Sequence, residues 1–234
     1  GKYQRRIHIP AEWRNKRVFI RLYGANSVAT VLVNSSLAGE HKGGYTAFVY
    51  EITDLLKYGD MNDFRIIVSN ADRTDVLPTA GDANSYGGLF RDVELVITGK
   101  EIVSLTDNGG PGVYVKQGEV TRERVTGETL VKVSGRGDNT VQAVVAVRDA
   151  AGNVVSSGTA RVRLSGNATS DAVVPFTINA PHLWNGTAAP YLYDVQVKIM
   201  DGNKVMDSLT VKTGFRTLEA DAKKGFLLNG EPYR

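Results

Sequence analysis

The sequence predicts an all-β protein built as two β-sandwiches in tandem. Three observations carry that expectation. Nearly every ordered segment alternates apolar and polar residues with period two, the pattern of a pleated strand with one face buried. No segment keeps a 3.6-residue period over the roughly 10–12 residues that a helix requires. Turn signals also recur at short, regular spacing, and from position 100 onward they separate about seven strands over roughly 115 residues, as in an immunoglobulin-like sandwich. A chain of 234 residues has room for one large or two small domains.

In the first unit, Tyr3, Arg5, Ile7 and Ile9 fall on one face of an opening strand, which Pro10-Ala11-Glu12-Trp13 ends. In the next run, Val18, Ile20 and Leu22 alternate with Arg17, Phe19, Arg21 and Tyr23. Val28 to Val33 is rich in β-branched residues, Gly43-Gly44 makes a turn, and Phe48 and Tyr50 lie in another alternating run. Ile52 to Lys57 can form one helical turn capped by Thr53 or Asp54. Phe64, Ile66 and Val68 mark a further strand. A loop of about eighteen residues with no pattern of its own follows Asn70. It ends in Gly81 to Val93 and leads into a strand through Val93, Leu95 and Ile97.

The second unit starts near Lys100. Ile102 to Asp107 and Val113 to Lys116 flank the loop Asn108-Gly109-Gly110-Pro111-Gly112. Thr129 to Ser134 alternates, and Val141 to Ala150 is almost continuously apolar. A hairpin turn at Asp149 to Asn153 leads to Val154–Leu164, and Val173 to Ile178 follows. Tyr191 to Met200 and Val205 to Thr213 are joined by a second hairpin turn at Asp201 to Lys204.

Composition narrows the chemistry. With no cysteine there is no disulfide, no cysteine nucleophile and no Cys-ligated metal. His8, His41 and His182 have no metal-ligand spacing. No metal and no cofactor is expected. A net charge of +3, from 28 basic and 25 acidic residues, describes a mixed surface. The basic cluster Arg5, Arg6, Arg14, Lys16, Arg17 and Arg21 reads as a solvated sheet face, because no aromatic stacking pattern interleaves it. Neither nucleic acid nor membrane is an expected partner. No apolar run approaches the roughly 20 residues that span a bilayer. No signal peptide opens the sequence, and one would have to lie upstream. Compartment is left open, with periplasm or exterior favoured over cytoplasm. The sequons at Asn34, Asn167 and Asn185 are at chance level for so much Asn, Ser and Thr.

Several segments carry a more specific signal. Pro181-His182-Leu183-Trp184, a short gap and Pro190-Tyr191-Leu192-Tyr193 form one. Tyr86-Gly87-Gly88-Leu89-Phe90-Arg91-Asp92-Val93, Thr213-Gly214-Phe215-Arg216 and Gly225-Phe226-Leu227-Leu228-Asn229-Gly230-Glu231-Pro232-Tyr233-Arg234 are three more. Val33-Asn34 through His41-Lys42-Gly43-Gly44-Tyr45 is a fifth, with Ser35 where the pattern has glycine. Together these resemble the family-two glycoside hydrolases, the β-galactosidase, β-glucuronidase and β-mannosidase group. The resemblance spans essentially the whole chain.

It implies a galactose-binding-like jelly roll over 1–99, without its first strands, and an immunoglobulin-like sandwich over 100–218. Residues 219–234 would be a linker and the start of an absent catalytic (β/α)₈ barrel. In the family that barrel supplies both carboxylates of retaining hydrolysis. No catalytic residue is therefore expected here, and Glu40, Glu94, Glu101, Glu219 and Glu231 are set aside. The chain alone is predicted inactive.

The function implied is the non-catalytic N-terminal portion of a retaining, β-galactosidase-like exo-glycosidase. Its partners would be its own barrel and, in the intact enzyme, a terminal β-linked sugar. Asp82, Asn84 and Tyr86 are the substrate-binding candidates. Asp82 matches an acidic family position on a loop that reaches the sugar site, where a carboxylate can accept charge-assisted hydrogen bonds from hydroxyls. It can also cap its own loop, and that reading is the favoured one. For Tyr86 packing is favoured over stacking. Arg91-Asp92 is expected to be structural, with the arginine pairing or capping carbonyls. Trp13 is expected in the core, and Trp184 as a buried anchor. The apolar surface that would meet the barrel is expected to be exposed around Trp184, Tyr191 and the tail from Gly225 to Tyr233, with that tail loosely held or docked in crystal contacts. The alternative function is a free-standing carbohydrate-binding or adhesion module, which requires exposed aromatic residues; a purely structural pair of sandwiches is the weaker third reading.

Overall fold

A computed structural model of the chain describes residues 1–77 and 86–233. The expectation of an all-β fold holds, and the chain divides into two compact units. The first comprises Gly1–Lys100 and Leu105–Gly110; the second comprises Glu101–Ser104 and Pro111–Arg234.

In the first unit the strands are β1 (Lys2–Ile9), β2 (Arg17–Leu22), β3 (Ala25–Asn26), β4 (Val28–Val33), β5 (Ser36–Lys42), β6 (Phe48–Glu51), β7 (Asp60–Ser69), β8 (Gly88–Leu89) and β9 (Val93–Thr98). Sheets β1-β7-β4-β5 and β6-β2-β9 face each other. Ile9, Val31, Val33, Ile66 and Val68 of one meet Val18, Ile20, Leu22 and Phe48 of the other in a single core. Along β7 the alternation read from the sequence is the alternation of core and solvent, whereas on the central strand β2 Phe19 is buried as well, and β1 is exposed except towards Ile9. Two short 3₁₀ turns, Ala11–Asn15 and Thr53–Leu55, occupy the places where periodicity breaks. Trp13 packs against this core half-buried.

Arg17 corrects the expectation of a solvated basic face. It is only 3% exposed. Its Nη2 lies 2.7 Å from Glu51 Oε2, its Nε 3.2 Å from Glu51 Oε1, and its Nη1 donates to the Lys100 carbonyl at 3.2 Å. The guanidinium also lies 5.1 Å from the centre of the Phe19 ring. β2 is the central strand of its sheet, so a carboxylate on neighbouring β6 is within reach. A buried charge persists only when paired in this way.

The second unit contains β10 (Ile102–Val103), β11 (Val113–Val120), β12 (Arg124–Ser134), β13 (Asn139–Arg148), β14 (Val154–Leu164), β15 (Thr169–Asn179), β16 (Tyr193–Asp201) and β17 (Lys204–Thr213). β12 pairs with β10, β11 and β15, and β14-β13-β16-β17 form the opposing sheet. Val131, Val133, Val174 and Phe176 meet Val145, Val147, Val195 and Val197 in its core. The turn at Asp149 is held by its own carboxylate, which accepts the Ala151 and Asn153 amides at 3.0 and 2.8 Å.

A small third sheet, β18 (Leu218–Asp221), β19 (Gly225–Leu228) and β20 (Glu231–Pro232), closes the chain. Here the loose tail expected from the sequence is corrected to a paired one, while its expected exposure holds at most positions. Leu227 and Leu228 are buried, while Phe226 and Tyr233 remain exposed. Pairing on both sides of β19 satisfies its backbone, which a loose tail would leave to water.

Candidate functional site

The candidate site lies at one end of the first sandwich, where the long loop leaves β7 and returns through β8. Asp82 and Asn84 lie outside the described residues. Tyr86 is described, and its side chain is 79% exposed, so the packed ring expected from the sequence is corrected. Its backbone is held instead: the buried Asn26 donates Nδ2 to the Tyr86 carbonyl at 2.9 Å. β3 and β8 pair through Ala25↔Leu89 and Asn26↔Gly88. Gly88 has φ +100°, and a Cβ there would overlap the Tyr3 hydroxyl, which accepts the Leu89 amide at 3.3 Å. Only glycine meets both demands.

The departing side of the loop has its own anchors. Ser27 donates its amide and its hydroxyl to the Ser69 carbonyl at 2.9 and 3.2 Å. Asp75 accepts Arg73 at 2.6 and 2.8 Å and Lys42, on β5, at 2.7 Å. The Arg73 guanidinium and then the Lys42 ammonium hold the Asp75 carboxyl well below the usual carboxylate range. Val76 beside it is buried.

Arg91 behaves as expected of a structural arginine. Its Nη1 donates to the carbonyls of Tyr23 and Tyr45 at 3.2 and 3.0 Å. The Tyr23 amide in turn donates to the Asp92 carbonyl at 3.1 Å. The guanidinium lies 5.3 Å from the Phe90 ring centre, and Phe90 lies 6.0 Å from Tyr45. Tyr45, Phe90 and Tyr86 are all exposed. This end of the unit therefore presents aromatic rings on a firmly hydrogen-bonded frame, an arrangement suited to the apolar face of a sugar. His41, on β5, stacks on Phe48 at 4.1 Å, and burial pushes its imidazole below the ordinary value. Among the described residues no group of three His, Asp or Glu side chains could hold a metal ion.

Sequence reasoning missed Asn26, Ser27, Lys42 and Asp75, because each acts on a residue some 33 to 60 positions away. The polar pair Asn26-Ser27 between two apolar runs was the available local signal.

The second unit gathers its own motif residues. Trp184 donates its amide to the Phe215 carbonyl at 2.9 Å and offers its ring to Arg216, whose guanidinium lies 5.1 Å from the ring centre. Asn229 donates Nδ2 to the Trp184 carbonyl and accepts the Thr217 amide with Oδ1, both at 3.0 Å. Phe215 stands fully buried between Phe176 and Tyr193. Trp184 itself is half-buried, so it anchors a knot of hydrogen bonds at the rim of the core.

The class defined is a tandem of β-sandwich modules whose first member carries a polar, aromatic end. The family profile "Glycosyl hydrolases family 2, sugar binding domain" matches residues 1–99, and "Glycosyl hydrolases family 2" matches 113–216. The chain belongs to glycosyl hydrolase family 2. It is 39% identical to a β-glucuronidase of Bacteroides fragilis over 99% of this chain and 33% of that protein. It is 29% identical to a β-galactosidase of Thermoanaerobacter pseudethanolicus, over 99% of this chain and 30% of that one. The solved structure of a Bacteroides uniformis β-glucuronidase superposes with a TM-score of 0.93 at 28% identity, covering 100% of this chain and 28% of that one. The chain thus spans about a third of the length of the relatives it matches.

Proposed function

We propose that the chain is the non-catalytic N-terminal portion of a retaining exo-glycosidase that removes a terminal β-linked glucuronosyl or galactosyl residue. The two sandwiches scaffold a catalytic (β/α)₈ barrel, and the loop carrying Asp82, Asn84 and Tyr86 borders its sugar site. The observation that carries this reading is the double anchoring of that loop: Asn26, Tyr3 and Arg91 frame its return, and Ser27 and Asp75 its departure. A loop that only closed a surface turn needs no such frame. The relatives' length and their names, β-glucuronidase and β-galactosidase, support the rest.

The test is kinetic and uses the longer protein. Asp82→Ala is expected to lower kcat/KM about tenfold or more, the scale of one lost charge-assisted contact. An unchanged kcat/KM returns the loop to a purely structural role. The 234-residue chain is expected to release no nitrophenol from β-glucuronide or β-galactoside substrates. A rate that disappears on mutating one of its own carboxylates overturns the proposal.

A further inference from the structure

A second candidate site lies on the outer face of the first unit, among residues the loop does not use. A cleft of about 500 Å³ is lined by Arg6, Ser35, Lys57, Met61, Asp63 and Arg65, among others. Asp63 is fully engaged: Gln4 donates to its Oδ1 at 2.7 Å, and Arg65 to its Oδ2 at 2.7 Å through Nε and 2.6 Å through Nη2. Arg6 lies opposite Asp63 in the β1–β7 register. Lys57 bonds Asn62 through its backbone alone, and Arg6 acts on Asp63 only through its charge, so among the described residues neither side chain makes a hydrogen bond or ion pair. Three cations thus face one carboxylate that is already taken.

Ser35 adds an independent observation. Asn34 and Ser35 are the two turn residues between β4 and β5, with φ of +50° and +71°. Glycine is the default at the second position of such a turn, and serine there is strained. Asn34 explains its own conformation: it donates to the Leu55 carbonyl and Asn62, and accepts the Asp63 amide. The Ser35 hydroxyl has no protein partner among the described residues, yet it lines the cleft. A strained residue whose polar group is unused by the fold points to a ligand. Met61, 44% exposed, supplies an apolar patch beside the charges.

We propose that this cleft is a second carbohydrate subsite, one that takes an acidic sugar residue. The sugar carboxylate sits against Arg6 and Lys57, a ring hydroxyl meets Ser35, and a C–H face rests on Met61. The site belongs to the described part of the chain and does not depend on what the longer protein hydrolyses.

The test is a titration of the 234-residue chain at low salt, followed by amide chemical shifts, with sodium glucuronate, glucose and sodium sulfate as separate probes. Glucuronate is expected to saturate in the millimolar range, about 1–10 mM, as suits a small ligand at an open cleft. The shifts should centre on Arg6, Ser35 and Lys57. The Arg6→Gln/Lys57→Gln double variant should weaken binding about tenfold or more. Ser35→Gly should weaken it several-fold while the fold, checked by circular dichroism, is kept. No saturation by glucuronate overturns the proposal, as does binding that the double variant leaves intact. Glucose binding as tightly as glucuronate removes the acidic specificity, and sulfate binding as tightly removes the sugar.

Discussion

Phe90 and Phe215 are both motif phenylalanines that precede an arginine, yet one is 45% exposed and the other fully buried. Phe215 belongs to the knot of the second unit, where Trp184, Arg216, Thr217 and Asn229 bond to one another. Phe90 belongs to the loop end of the first unit, where Asn26 and Arg91 hold backbone and leave rings outside. The difference teaches that recurrent motifs are of two kinds. Some hold the fold, and others present side chains on a held frame.

The largest expected effect tests that distinction directly. Phe215→Ala should cost the second unit about 3–5 kcal/mol, the range for emptying a buried aromatic site. Phe90→Ala should cost the first unit about 0.5 kcal/mol or less. Denaturant unfolding monitored for each unit measures both; equal losses would erase the comparison. Next comes the frame itself. Asn26→Ala leaves the Tyr86 carbonyl without its donor and should destabilise the first unit by about 1–3 kcal/mol. An unchanged midpoint would mean that the buried carboxamide does not hold the loop.

Ser35→Gly should move the other way, raising stability by about 1 kcal/mol, because glycine removes the αL penalty. A lower melting temperature would show that the serine is not strained. The smallest effect is expected in acid. Arg73 and then Lys42 depress the Asp75 carboxyl, and Gln4 and then Arg65 depress Asp63. In the second unit Asn153 depresses Asp149. A depressed folded-state pKa gives stability that is present above the unfolded value, near 3.9, and is lost as pH falls through the folded one. Asp75 is exposed and Asp63 and Asp149 only half-buried, so solvent screens each and the gain is slight. Asp75→Asn should therefore flatten the first unit's loss of stability below about pH 4 and leave the second unit's untouched. Superimposable acid limbs for parent and variant would remove Asp75 as an anchor.

The fold was largely legible in the sequence. Val141, Ala143, Val145 and Val147 announce a core-facing strand, and the hairpin turn at Asp149 follows them. The motif at Tyr86 to Val93 marked the candidate loop without showing which of its residues hold it. Trp184 was readable as an anchor, but its partner Asn229 lies 45 residues on and acts through a backbone carbonyl that no pattern reveals. The expected loose tail and solvated Arg17 failed for a related reason. Both depend on what a neighbouring strand supplies, Glu51 for Arg17 and two flanking strands for Gly225–Leu228.

By itself the sequence determined the all-β class, the two sandwiches, the turns and the family resemblance. Strand periodicity and turn chemistry are local, and each is written within a few residues. Only the tertiary structure decided which motif side chains are buried and which stand in solvent. It alone brought Asn26 to Tyr86, Lys42 to Asp75, and Arg6, Ser35 and Lys57 to one cleft. Those meetings depend on strand register, and register is settled by packing an entire core at once.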